Sequence, residues 1–310
     1  MKTINKISNL CIVLVFFGLN SVFGQASKVY VGITGLNSMQ QQYIKANNIK
    51  SAIIFYQVDV APGDGRNLNS DLFTKRINEK IPDANATGVG IVDWEVHANE
   101  VFTNNDDPVE HQRMVNEFIK TIAIAKKMRP NVKWGFYGMP IRTFDAPSSK
   151  WTSANRSLTP LFKIVDVLAP SLYIYNSDPQ VYSLVAPKVE RGRGDHLATN
   201  LQETLQIAKT LNKEVYPFIW QRINSGNKEI ALQLVPLNTF KNYVSTILNS
   251  NYQGKKVSGV IWWDSQSYFY QTRAKFGGLA NEYKSVRNVD QYNLDIFKKY
   301  YNCIDGGNAY

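Results

Sequence analysis

Short, nearly continuous apolar runs alternate along most of this chain with stretches of helical periodicity. The runs span Lys28 to Thr34, Ala52 to Val58, Gly88 to Asp93, Lys133 to Tyr137, Val165 to Ile174, Glu214 to Trp220 and Val257 to Trp263. Runs without polar alternation suit parallel strands covered on both faces. Between them the pattern predicts helices over Met39 to Asn48, Asp71 to Lys80, Val109 to Lys127, Ala198 to Leu211 and Leu237 to Leu248. Pro108 precedes the third and suits a helix start. In the fourth, Leu201, Leu205 and Ala208 fall on one stripe.

Strands alternating with helices in this way define an α/β fold of repeated βα units. A closed (β/α) barrel of the TIM type, with seven or eight parallel strands, is the first expectation. A doubly wound open sheet is the alternative, and it usually carries a Gly-rich phosphate loop after its first strand. Gly32-Ile-Thr-Gly35 lacks that spacing, which favours the barrel.

The N-terminus changes the compartment. Lys2 and Lys6 precede an apolar stretch from Leu10 to Leu19, and Val22-Phe-Gly24 offers small residues for cleavage. This reads as a signal peptide over residues 1–24, removed near Gly24, so the protein is expected to be secreted or periplasmic. The stretch is too short for a membrane span, which needs about 20 residues. Residues 25–310 are then expected to form a single catalytic domain, a length that barrels reach undivided. With Cys11 in the signal, Cys303 is the one cysteine left, so neither an internal disulfide nor a cysteine-based metal site is expected. The formal net charge is +10. Such an excess can steer a protein toward acidic glycans, nucleic acid or an anionic surface.

Active sites of (β/α) barrels gather at the carboxyl ends of the strands. Those ends carry Tyr56 and Gln57, Asp93 and Glu95, Tyr137, Tyr173 and Tyr175, Trp220 and Arg222, and Trp263 and Asp264. Tyr, Trp and carboxylates at so many strand ends resemble the lining of a carbohydrate cleft. Asp93-Trp94-Glu95 is the sharpest feature, because side chains two apart on a strand point the same way. Both carboxylates would face the mouth while Trp94 points into the packing behind. Two carboxylates this close cannot both ionise cheaply, so one keeps its proton. A protonated carboxylic acid is what glycosidic cleavage needs, since the leaving oxygen must be protonated. An isolated pair of this kind can also simply cap a helix or face water; the apolar run Val89 to Val92 leading into it favours a site.

The segment Ala86-Thr-Gly-Val-Gly-Ile-Val-Asp-Trp-Glu95, preceded by Ile81-Pro-Asp83, resembles the catalytic segment of the hyaluronidases, glycoside hydrolase family 56. Trp134-Gly-Phe-Tyr-Gly-Met-Pro140, Leu168-Ala-Pro-Ser-Leu-Tyr173 and Gly259-Val-Ile-Trp-Trp-Asp-Ser265 are similar to three further strand motifs of that family, and Ile53-Ile-Phe-Tyr56 is a looser match. They occur in family order. The resemblance implies a distorted barrel and endo-β-N-acetylhexosaminidase chemistry with retention; the basic charge favours an anionic glycosaminoglycan of the hyaluronan or chondroitin type as the polysaccharide substrate, and no cofactor is expected. It makes Glu95 the general acid and then base, and Asp93 the group that polarises the substrate's own acetamide, whose oxygen attacks the anomeric carbon. Tyr173 would support the acetamide. Trp263 and Tyr137 would wall its pocket; Tyr56, Tyr175, Trp220, Arg222 and Asp264 are expected as further substrate contacts from their places at strand ends.

The departures are specific. Val96-His-Ala-Asn99 replaces the family's Trp-Arg-Pro element after the catalytic Glu, the Trp-Asn-x-Pro segment is not evident around Tyr30, and the disulfide cysteines are missing. A chitinase-like barrel, directed at chitin or peptidoglycan, shares the Asp-x-Glu, but Gly88 and Ile91 stand where its signature carries further aspartates. A glycan-binding protein without turnover is the alternative from another class. His97, His111 and His196 lack metal-ligand spacing, so no metal site is expected. No nucleic-acid module is apparent. Arg191-Gly-Arg193 is a candidate contact for uronate carboxylates.

Overall fold

A computed structural model describes residues 29–33, 35–104, 106–144, 147–175 and 196–304, the side chains of Ile33 and His196 excepted. The expected signal segment, Cys11 and the Arg191–Arg193 loop lie outside the described residues. The strands are β1 (Val29–Ile33), β2 (Ala52–Tyr56), β3 (Gly88–Asp93), β4 (Val132–Phe136), β5 (Val167–Leu168), β6 (Glu214–Val215), β7 (Phe218–Ile219), β8 (Asn251–Tyr252), β9 (Lys255–Lys256) and β10 (Val260–Asp264). Parallel ladders run in the orders β2-β3-β4, β1-β10-β7 and β5-β6, while β8 and β9 form a small antiparallel hairpin.

The expected barrel is present as an α/β arrangement of parallel strands, but not as one continuous closed sheet. Isolated parallel bridges join the ladders: Val31 to Ser51, Tyr137 to Ala169 and Ser171 to Phe218. Prolines account for much of this fragmentation. Pro170 follows β5 and its bridge, and Pro217 divides β6 from β7. A proline has no N–H to donate to a ladder, so the apolar runs 165–174 and 214–220 yield strands of only two residues each.

Two apolar clusters flank the strands. One, which includes Val29, Val31, Phe55, Val92, Trp134 and Trp262, packs beneath the helices. The other gathers Ile54, Val89, Ile91, Phe218 and Ile261 with Tyr173 and Trp220 on the opposite strand faces. Gly90 shows how tight the first is: a Cβ there would sit 2.6 Å from the Trp134 ring. Helix Pro108–Met128 starts at an Asp107 cap with Pro at its first turn, as expected. Helices not anticipated from sequence cover Val96–Asn104, Ser149–Ser157, Thr159–Ile164, Gln266–Thr272, Gly277–Tyr283 and Val289–Ile304. No helix among the described residues is long and apolar enough to cross a membrane.

Candidate active site

The carboxyl end of β3 delivers the acidic pair as strand alternation requires. Trp94 points inward, stacking on Phe118 at 4.8 Å between centroids and donating its indole N–H to the Gly65 carbonyl at 2.6 Å. Asp93 and Glu95 therefore emerge on the other side, and both line a cavity of about 380 Å³, within the usual size of small-molecule sites. Burial pushes the Asp93 carboxyl well above the usual carboxylate range, and the Glu95 charge and a hydrogen bond between the two carboxyls add to it. Glu95 is raised as well, first by desolvation of its carboxyl; the Asn99 amide and the Arg142 charge oppose that shift. As a whole residue, Glu95 remains exposed at the edge of the protein surface. Asp93 Oδ1 is buried without a hydrogen-bond partner among the described residues.

Aromatic rings build the rest of the wall. Tyr173 lies 5.4 Å from Trp220 and 6.1 Å from Trp263 between centroids, and Trp220 meets Trp263 edge-on at 5.1 Å. Tyr137 packs edge-on against Phe218 at 4.8 Å, and its hydroxyl bonds Ser171 Oγ at 3.0 Å. Burial raises the Tyr137 and Tyr173 hydroxyls far above the ordinary phenol value, so both stay neutral donors.

The structure thus brings together Asp93, Glu95, Tyr137, Tyr173, Trp220 and Trp263 of the residues expected from sequence. Tyr56 stands behind Trp263, accepting its indole N–H at 3.3 Å; burial pushes the Tyr56 hydroxyl up to about 12. The remaining three do not line the cavity. Tyr175 sits at the rim against Phe144, with its hydroxyl on the Gly226 carbonyl. Arg222 is fully buried and holds Glu282 through two hydrogen bonds of 2.7 and 2.8 Å, together with Gln266 and the Leu232 carbonyl. Asp264 is fully buried and accepts from Gln221 at 3.0 Å. As substrate contacts, Arg222 and Asp264 are corrected: both are sealed from solvent, and Arg222 is committed to Glu282.

Sequence reasoning missed Arg142, which borders the acidic pair, and Asn224, Tyr268, Phe269 and Phe276, which complete the cavity. Arg142 lies six residues beyond the end of β4, in a segment that a search of strand ends stops short of. Among the histidines, His97 binds Glu110 at 2.5 Å and His111 binds Ser157 at 2.9 Å; both tie helices together.

No family model matches the chain. Among curated proteins it is similar to hyaluronidase Tab y 2.0101 of Tabanus yao, at 25% identity over 56% of this chain and 57% of that protein. It is also similar to a chondroitin hydrolase of Caenorhabditis elegans, at 28% identity over 34% of this chain and 31% of that protein. A third match is inactive hyaluronidase B of Vespula vulgaris, at 23% identity over 63% and 64% of the two chains. The crystal structure of bee venom hyaluronidase superposes with a TM-score of 0.56 and 18% identity, over 86% of this chain and 99% of that one. The chain is a divergent relative of the hyaluronidases. Its likeness to the bee venom hyaluronidase shows that the two share a fold despite the interrupted ladders. A complex of that enzyme with a hyaluronic acid tetramer superposes equally well, at a TM-score of 0.55 and 18% identity over 82% and 96% of the two chains. The chain spans about half the length of the first curated relatives it matches. Unlike a fold built on disulfides, this hyaluronidase relative has only a free Cys303 among its described cysteines.

Proposed function

We propose that this hyaluronidase relative is a glycoside hydrolase that cleaves a glycosaminoglycan of the hyaluronan or chondroitin type, on a distorted (β/α) barrel, after export. The carrying observation is the acidic pair: two neighbouring carboxyls with raised pKa values, one oxygen of Asp93 unpartnered among the described residues, in an aromatic-walled cavity. The relatives' names, hyaluronidase and chondroitin hydrolase, support the substrate class.

The chemistry follows from what each group can hold. In the free protein the more deeply buried Asp93 retains the proton it shares with Glu95. An acetamide N–H arriving at Asp93 favours the ionised form of that carboxyl and passes the proton to Glu95. Glu95 then protonates the glycosidic oxygen while the acetamide oxygen attacks the anomeric carbon, and the bond to the leaving sugar breaks. Asp93 accepts the N–H of the cyclised acetamide, and the Tyr173 hydroxyl supports the same group. Glu95, now ionised, takes a proton from water, whose oxygen opens the ring on the face the leaving group left. Two displacements restore the original anomeric configuration.

Mass analysis of products from hyaluronan, desulfated chondroitin and chitin oligomers tests the reading. It requires saturated, even-numbered oligosaccharides ending in N-acetylhexosamine. Products with an unsaturated uronate would make the protein a lyase. A binding protein without turnover is the second reading, favoured by the inactive hyaluronidase among the relatives; against it stands the retained pair, since binding alone does not need two abutting carboxyls.

A further inference from the structure

Glu95 lines two adjoining cavities. The larger holds Asp93, Tyr173 and the tryptophans; the smaller, of about 190 Å³, adds Asn99, Thr103 and Ser171, and Glu95, Tyr137 and Arg142 line both. If the acetamide sugar occupies the larger one, the acid common to both cavities directs the leaving sugar toward the smaller. In an alternating hexosamine–uronate chain that sugar is a uronate.

We infer that Arg142 reads the carboxylate of the leaving-group uronate and so selects glycosaminoglycans over neutral N-acetylhexosamine polymers. This rests on the hydrolase reading for the identity of the larger cavity, and on independent observations for the rest. Arg142 pairs with no carboxylate among the described residues, unlike the buried Arg222. Its guanidinium bonds Ser171 Oγ, which also takes the Tyr137 hydroxyl, and lies 4.6 Å from the centroid of the Phe144 ring. That leaves further N–H donors of a rigid fork whose geometry suits a carboxylate.

The backbone that carries Arg142 is fixed on both sides. The buried Asn155 amide takes the Ile141 N–H at 2.8 Å and donates to the Ile141 carbonyl at 3.0 Å. The buried Asn200 amide does the same for Thr143, at 2.9 and 2.7 Å. Two buried side-chain amides thus clamp a three-residue segment whose central member is half-buried at the edge of the smaller cavity. Such clamping holds a recognition group in place before the ligand arrives. Asn99, Thr103 and Ser171 offer hydrogen bonds to sugar hydroxyls in the same cavity.

The test compares hyaluronan hexasaccharide with the same oligosaccharide after its carboxyls are reduced to alcohols. Wild-type kcat/KM is expected to favour the carboxylate form by about tenfold to a hundredfold, the range of a charged hydrogen bond. In Arg142→Gln that ratio should fall to near one, and in Arg142→Lys to an intermediate value. An unchanged ratio in Arg142→Gln, or a wild-type ratio near one, overturns the inference while leaving the hydrolase reading intact. Calorimetric binding of both oligosaccharides to Glu95→Gln protein, with and without Arg142→Gln, separates the two claims. Carboxylate- and Arg142-dependent binding, with neither substrate cleaved by the wild-type protein, would keep the uronate contact and refute the hydrolase reading. Binding indifferent to the carboxyl would overturn the contact.

Discussion

The carboxylic acids Asp93 and Glu95 line one cavity together, although the residue between them points the opposite way into the core. Strand alternation creates the pair; burial gives it a proton. Asp93 Oδ1 is left without a partner, and a buried acceptor in that state is costly unless a ligand completes it. The site is therefore shaped for a donor such as an acetamide N–H.

The first prediction concerns pH. Turnover needs one proton in the pair: two protons deprive Asp93 of its acceptor role, and none leaves Glu95 unable to donate. Both carboxyls are raised, so the basic limb of kcat/KM should lie above the ordinary carboxylate range of about 4. Asp93→Asn removes the neighbouring charge and lets an amide donate to Glu95, so the basic limb of residual activity should move to lower pH. Activity itself should drop roughly a hundredfold to a thousandfold. A basic limb that stays in place would show that the pair does not govern it.

The second concerns Arg222. Its guanidinium is buried and its partner Glu282 nearly so, and removing one member of such a pair costs about 3–5 kcal/mol. Arg222→Ala should lower the denaturant midpoint accordingly. At temperatures where the variant stays folded, KM for a glycosaminoglycan should change little. A large rise in KM without loss of stability would return Arg222 to the binding site.

The third concerns Asp264, whose carboxyl burial pushes up to about 7 from the ordinary 3.8. A raised folded value means the native state holds a proton that the unfolded chain has lost. Its contribution to stability is therefore intact below about pH 4 and declines as pH rises toward 7, by up to about 4 kcal/mol. Asp264→Asn, which can still accept from Gln221, should flatten that decline: near wild-type stability at pH 4, and higher than wild type at pH 8. Denaturant melts at the two pH values decide it.

The sequence disclosed the fold where apolar runs were uninterrupted. β3 is found at its expected bounds, and β1, β2, β4 and β10 within a few residues. It was less legible where prolines cut the ladders, and in the C-terminal helices. Val289–Ile304 buries Tyr300 and Tyr301 along with Leu294 and Phe297, and tyrosines are easily read as surface residues when they belong to a core. For the site, alternation was a sound guide only while a strand lasted. Trp263 and Asp264 are adjacent on β10, so only one can face the cavity, and it is Trp263; Asp264 turns toward Gln221, which also accepts the Trp262 indole N–H. Trp220 and Arg222 are two apart, but β7 has already ended at Ile219, and the periodicity no longer applies. Arg142 was invisible because its importance comes from Asn155 and Asn200, distant amides that fix its loop.

The most direct test of the central claim is turnover and binding by Glu95→Gln protein. The substitution keeps the shape and the Asn99 contact of the side chain but removes the transferable proton. The expected result is loss of hyaluronan and chondroitin cleavage by at least a thousandfold, with the melting temperature and the affinity for a hyaluronan oligosaccharide close to wild type. Cleavage at a near-wild-type rate by pure Glu95→Gln protein would contradict the account, because Asp93 and Glu95 are the only carboxyls among the described residues that line the cavity.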